Sequence, residues 1–264
     1  MGKIGWIDSH AHLAYSEYDQ DLPQIIANAK ERNVSRIMIV TLTEDETRKA
    51  LSLKEQYGMF DVAYGFHPSD LDKIPQNGFE VLEDFLKKGQ LKAIGEIGLD
   101  YFWHKDNKDE QKAVFIRQIE LANKYEVPII VHMRDSASDT LDILKSHRPI
   151  KGGIMHCYSG SVEMAFEYIK CGMYISLGGP VTFKNAHTPK EVAQAVNIEW
   201  LLTETDCPYL TPHPFRGKRN EPAMVELIGL QIAQLRGMDA VEFMAKVSDN
   251  YHRLFDQPCE NYVK

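Results

Sequence analysis

His10 and His12 stand two residues apart in the segment Ile7-Asp8-Ser9-His10-Ala11-His12-Leu13, at the end of the first apolar run of the chain. Residues i and i+2 of an extended strand project from one face. This spacing therefore brings two imidazoles to one point in space, with Asp8 behind them. Converging neutral imidazoles are nitrogen ligands for a metal ion. Taken alone, the pair is equally compatible with two surface histidines near a chain end.

Metal-competent residues recur at the ends of later apolar runs: Glu96, His132, His156, and then Glu204 and Asp206. Ile130 shares a strand face with His132, and Ile154 with His156, so each histidine continues the inward row of its own run. A single histidine so placed is ordinarily a satisfied core residue. Four imidazoles with two or three carboxylates exceed what one tetrahedral ion requires, and the count points to two ions sharing a bridging ligand. Glu96 is the natural bridge, because Lys92, whose carboxylated form could do the same work, lies at the opposite end of its strand. Mixed nitrogen and oxygen donors suit Zn, Mn or Mg.

What positions these groups is an alternation of element types. After the first strand, Leu22, Ile25, Ile26 and Ala29 recur at helical spacing, and Arg36 to Val40 form a β-branched run. Helices over 45–57, 79–87, 109–125, 138–146, 162–171, 189–196 and 222–236 alternate with strands over 61–66, 91–96, 128–132, 153–156, 173–177 and 200–205. A last helix over 240–254 follows. Strict alternation implies parallel strands joined by crossover helices, and eight such units in this length match a TIM-type (β/α)8 barrel. An open doubly wound sheet would carry a Gly-rich turn after its first strand; here that turn carries histidines. In a barrel of this type the chemistry sits at the C-terminal ends of the strands, where all the residues above fall.

The chain of 264 residues, 44% of them hydrophobic, can bury a sizeable core. With no linker, repeat or low-complexity tract, a single domain over 1–264 is expected. No apolar run approaches the roughly 18 residues of a membrane span and no leader pattern precedes the first strand, so the expectation is a cytoplasmic protein with no membrane partner. Cys157, Cys171, Cys207 and Cys259 form no Cys-x-x-Cys pair and suit a reducing compartment as packing or near-site thiols. A net charge of -8 argues against coating a long duplex through a general basic surface.

The chain resembles the TatD-type metal-dependent deoxyribonucleases of the amidohydrolase-like barrel superfamily. The resemblance rests on the His10/His12 segment, Gly65-Phe66-His67-Pro68, Ala93-Ile94-Gly95-Glu96-Ile97-Gly98-Leu99-Asp100-Tyr101, Val131-His132-Met133-Arg134, His156-Cys157-Tyr158-Ser159-Gly160, Glu204-Thr205-Asp206-Cys207-Pro208-Tyr209-Leu210 and Arg216-Gly217-Lys218-Arg219-Asn220-Glu221-Pro222. These seven segments run in order through almost the whole chain. Tyr158, Cys207 and Ser136 depart from the commonest family residues, and none of them removes a ligand; Cys207 beside Asp206 raises the question of sensitivity to oxidation.

The resemblance implies one metal held by His10, His12, Glu96 and Asp206 and a second held by Glu96, His132 and His156, with Mg²⁺ the usual ion and Mn or Zn as alternatives. It also implies hydrolysis of DNA phosphodiesters, with removal from the 3′ end; the expected partner is single-stranded DNA or 3′ ends, and the expected state is a monomer, with an oligomer as the alternative. Asp206 is then ligand and proton acceptor. Glu204 holds the water or tunes the site, and His67 donates a hydrogen bond to a phosphate oxygen. Arg216, Lys218 and Arg219 form a dense basic cluster suited to phosphate contacts, and Tyr101, Phe102 and Trp103 can stack on bases or simply cap the barrel. The rival reading keeps the metal site and changes the substrate to a small amide, ester or lactone. A non-catalytic binding protein is the third, and the complete ligand set speaks against it.

Overall fold

A computed structural model describes residues 4–257. Eight strands, β1 (Trp6–Ala11), β2 (Val34–Thr41), β3 (Phe60–Tyr64), β4 (Ala93–Asp100), β5 (Ile129–Arg134), β6 (Gly153–Met155), β7 (Met173–Leu177) and β8 (Leu201–Thr203), lie in one sheet in sequence order. Every neighbouring pair is parallel. The outer layer is formed by α1 (Leu22–Glu31), α2 (Glu44–Tyr57), α3 (Gly78–Lys87), α4 (Lys108–Lys124), α5 (Ala137–Ser146), α6 (Val162–Lys170), α7 (His187–Ala195) and α8 (Val225–Arg236). The strands are buried on both faces and read as apolar runs, as parallel sheets covered by helices require. This is the TIM-type barrel read from the alternation.

The barrel closes between β8 and β1 through few backbone contacts. Ala11 and Cys207 form a bridge, His12 N–H donates to the Cys207 carbonyl (2.9 Å), and Asp206 N–H donates to the His10 carbonyl (2.9 Å). Side chains complete the seam. The Asp8 carboxylate accepts from Thr205 N–H (2.8 Å) and from its hydroxyl (2.6 Å), and the Thr203 hydroxyl donates to the Ile7 carbonyl (2.7 Å). These bonds fix the two histidines of β1 against the acidic pair that follows β8.

Strand boundaries differ from the sequence expectation by a few residues, and two of the differences bear most on the site. The strand expected over 91–96 runs from Ala93 to Asp100, so Glu96 lies inside β4 and not at its end. Pairing with β5 advances three residues on β4, from Ile94 to Ile97, against two on β5, from Ile129 to Val131. One extra residue in a ladder is a bulge, which re-aims the side chain it carries; that side chain is Glu96. Gly98 permits the close strand approach that follows, since a Cβ there would meet the His132 carbonyl oxygen at 2.1 Å and its φ is +136°. The strand expected over 200–205 is only Leu201–Thr203, because the chain leaves the ladder at Glu204 and Asp206 takes a φ of +55°.

The final helix, α9 (Ala240–Asp256), crosses the opposite, N-terminal mouth. Its Asn250 amide donates to the carbonyls of Ile198 and Leu201 before and at the start of β8, Tyr251 reaches Asp61 in β3, and Asp256 pairs with Lys92 just before β4.

Candidate metal centre

The first donor set converges from three strands. His10 Nε2 and His12 Nε2 lie 3.2 Å apart. Glu96 Oε2 is 3.4 and 3.8 Å from them, and Asp206 Oδ1 is 3.7 and 3.6 Å from them. A tetrahedral ion with ligand bonds of about 2.0–2.2 Å has donor-to-donor edges of about 3.3–3.6 Å, close to these separations, and His10, His12 and Asp206 form a group that could hold a metal ion. His12 Nδ1 donates to the Val40 carbonyl (3.1 Å), which turns the Nε2 lone pair toward the cluster.

The second set gathers on the other oxygen of the same carboxylate. Glu96 Oε1 lies 2.8 Å from His132 Nδ1, 2.8 Å from His156 Nε2 and 3.3 Å from His67 Nε2. The two Glu96 oxygens have different nearest imidazoles, while His10 and His156 stack at 4.0 Å and form a further possible ligand group with Glu96, so the buried donors could hold metal. The outer nitrogens of the second set are held by carboxylates. His132 Nε2 pairs with Asp100 Oδ2 (3.0 Å), and His156 Nδ1 with Glu204 Oε1 (3.2 Å). Such partners orient a ligating ring and raise its basicity.

Glu204 also accepts from the Cys157 backbone N–H at 2.6 Å and is fully buried. It faces the back of His156. His67 differs from the other four histidines. Its Nδ1 accepts from Ser69 N–H (3.1 Å), leaving the ring proton on Nε2, so it presents a donor to the site.

Without cations the groups share protons. Burial opposes ionisation of Glu96, yet the charges of His156 and His67 and the hydrogen bonds of His10 and His132 hold it well below the usual carboxylate range. Asp206 is likewise lowered against the effect of burial, chiefly by its bond to His12. Burial alone would lower His156, but Glu96 and Glu204 raise it well above the ordinary imidazole value; Asp206 raises His12, and Asp100 and Glu96 raise His132. His10 is lowered by burial and by His156.

Asp100 has a place in this site that spacing arguments passed over. It ends β4 two pleats beyond Glu96, on the same face, and burial is outweighed by His132 and the N–H groups of Trp103 and Phe102, which hold its carboxyl down to about 2. Counting by twos from Glu96 would have found it. Arg134, at the end of β5, is another. Its guanidinium lies 4.1 Å from the Phe102 ring and 5.5 Å from Trp103, and it lines a cavity of about 340 Å³ together with His132, His156 and Asp206.

The residues singled out for substrate contact separate. Trp103 is 66% exposed beside this cavity. Tyr101 is 7% exposed, with its hydroxyl donating to Asp139 (2.7 Å). Arg216 stacks on Phe183 at 4.2 Å, and Lys218 lies 5.4 Å from the Phe215 ring. Arg219 pairs with Asp21 and with the Glu17 carbonyl over the Tyr18 ring, so its charge is committed to the loop. Cys207 is fully buried and burial pushes its thiol up, which disfavours the reactive thiolate. Cys259 lies outside the described residues.

Residues 7–256 match the family model described as TatD related DNase. The chain belongs to the TatD family. It is 45% identical to the uncharacterized metal-dependent hydrolase YabD of Bacillus subtilis, over 94% of this chain and 98% of that protein. It is 36% identical to the uncharacterized metal-dependent hydrolase YcfH of Escherichia coli K12, over 94% and 95%. The crystal structure of YjjV, a TatD homologue from E. coli, superimposes with a TM-score of 0.91 at 28% identity, covering 96% of this chain and 98% of that one. This TatD protein is thus a metal-dependent hydrolase, and none of its described helices is long and apolar enough to cross a membrane.

Proposed function

We propose that this TatD protein is a cytoplasmic deoxyribonuclease, active as a single chain, that hydrolyses phosphodiester bonds from the 3′ end of single-stranded DNA or of 3′ termini. His10, His12, Glu96 and Asp206 would hold one divalent ion, and Glu96, His132 and His156 a second, with Mg²⁺ in function and Mn²⁺ or Zn²⁺ as substitutes. When bound, such ions polarise a phosphoryl oxygen and lower the pKa of water. The observation that carries the reading is the division of Glu96, one oxygen to each donor set.

The protein's own groups supply the rest. Asp206 is held ionised by His12 and can accept a proton at the surface of the first set. His67 offers its Nε2 proton beside Glu96, where it can donate to a phosphate oxygen. Glu204 acts from behind, fixing the ring of His156. Arg134, which lines the cavity beside His132 and His156, would meet the polyanion together with Arg216 and Lys218. Replacing Arg216 or Lys218 by Ala weakens DNA binding and reduces the slope of affinity against salt by about 1 per lost phosphate contact; an unchanged slope would leave them as plain surface.

The test is cleavage of 5′-labelled single-stranded DNA with Mg²⁺, Mn²⁺ or EDTA, beside Glu96→Ala. A ladder shortening from the 3′ end, abolished by EDTA and by the substitution, is the expected result. A protein that takes up two ions and leaves DNA intact would be a small-molecule hydrolase.

A further inference from the structure

A second cavity, of about 310 Å³, opens on the other side of the metal centre from Arg134. Its inner end is His67, whose Nε2 lies 3.3 Å from Glu96 Oε1, and Tyr15, whose ring stacks on His12 at 4.8 Å with 10° between the planes. Leu42, Tyr64, Phe66 and Ile74 line its body. Glu44, Glu46 and Asp70 also line it; Arg48 pairs with Glu44 and Lys73 with Asp70, each at 2.5 Å. Glu46 has no ion-pair partner among the described residues; its carboxylate accepts from the Leu42 N–H at 2.9 Å.

We infer that this cavity binds the uncharged terminal nucleoside of the DNA strand, with the scissile phosphate over Glu96 and the rest of the strand running past Arg134. The assignment rests on the deoxyribonuclease reading and adds to it the chemistry of the leaving end. Three properties support it. A volume at the lower end of the about 300–1,000 Å³ range of small-molecule pockets accepts one nucleoside and not a continuing chain. The aromatic and aliphatic walls suit a base, which every nucleotide presents as a π-face. The Glu46 carboxylate, which no cation pairs among the described residues, repels a phosphate, so the group in this cavity ends in a hydroxyl, whereas the opposite cavity carries Arg134 and admits further phosphates. The two cavities therefore give the bound strand a direction.

The experiment compares two oligonucleotides of one sequence, one ending in a 3′-hydroxyl and the other in a 3′-phosphate, with wild-type protein and Mg²⁺. The hydroxyl end is removed about tenfold faster or more. Glu46→Gln, which keeps the acceptor for Leu42 N–H, narrows that ratio. Ile74→Trp fills the cavity and raises KM on the hydroxyl end about tenfold, while metal affinity, read by chelator competition, stays unchanged. Equal rates on both ends, or an unchanged KM in Ile74→Trp, would overturn the pocket assignment and leave a deoxyribonuclease standing. No cleavage of either oligonucleotide by metal-loaded wild type would overturn the deoxyribonuclease reading and the pocket with it.

Discussion

At the N-terminal mouth of the barrel, Asp61 accepts a hydrogen bond from Tyr251 of α9 at 2.9 Å and lies 3.7 Å from the Arg36 guanidinium. At the C-terminal mouth, Glu96 faces five imidazoles, and His10 Nδ1 and Glu204 Oε2 are buried without a hydrogen-bond partner among the described residues. Both carboxylates are sequestered, but the first is satisfied by groups with no second task. The second sits among ligands that satisfy one another only by sharing protons. A buried charge is tolerated when paired and hydrogen-bonded, so α9 completes one end of the fold, whereas the other end holds donors in excess of what folding uses.

The sharpest way to break this contrast is Glu96→Ala. Loss of a carboxylate common to both donor sets should lower hydrolysis on the order of 10³-fold or more, about 4 kcal/mol of barrier, and strip both ions. Near-normal metal content by elemental analysis would show that Glu96 does not join the two sets. Asp100→Asn comes next. The amide keeps an acceptor for the Phe102 and Trp103 N–H groups but loses the charge behind His132, so metal affinity should fall about 10–100-fold with little change in urea denaturation. An unchanged affinity would make Asp100 a turn residue and nothing more. Tyr251→Phe is the counterpart at the other mouth. It should cost about 1–2 kcal/mol of stability by leaving Asp61 short of a donor, with metal affinity untouched; a fall in metal binding would mean that the two ends communicate.

How far each end could be read from sequence follows from the same asymmetry. Alternation of apolar runs and helical periods fixes the barrel because parallel strands and crossover helices are its physical consequence, and His10, His12, His132 and His156 were legible because period-2 spacing puts each on an inward row. The placement of Glu96 was not, since a one-residue bulge leaves no mark on hydrophobic periodicity. Asp100 was missed for a different reason: counting by twos from Glu96 reaches it, but a strand thought to end at 96 has no position 100. The cations were hardest. Arg219 belongs to the densest basic cluster, yet Asp21, almost two hundred positions away, holds it; Arg134 carries no local cluster and stands at the mouth of the site. Charge density along a chain says little about pairing across it.

The finest probe of the contrast is the proton count on metal binding. Burial opposes charge on His12, His132 and His156, but carboxylates overcome it and raise all three above the ordinary imidazole value of about 6.5. In the metal-free protein these pairs contribute stability that is fully present below the unfolded value and lost as pH rises through the higher folded values. His10, lowered by burial, works in the opposite sense. Ligation requires neutral rings, so cations displace protons. Adding Mn²⁺ or Zn²⁺ to weakly buffered protein at pH 7 should therefore acidify the solution, and apparent metal affinity should rise with pH across the imidazole range. No proton release at pH 7 would show the rings already neutral, with Glu96 and Asp206 too weakly coupled to them to hold the shared protons that distinguish this mouth of the barrel from the other.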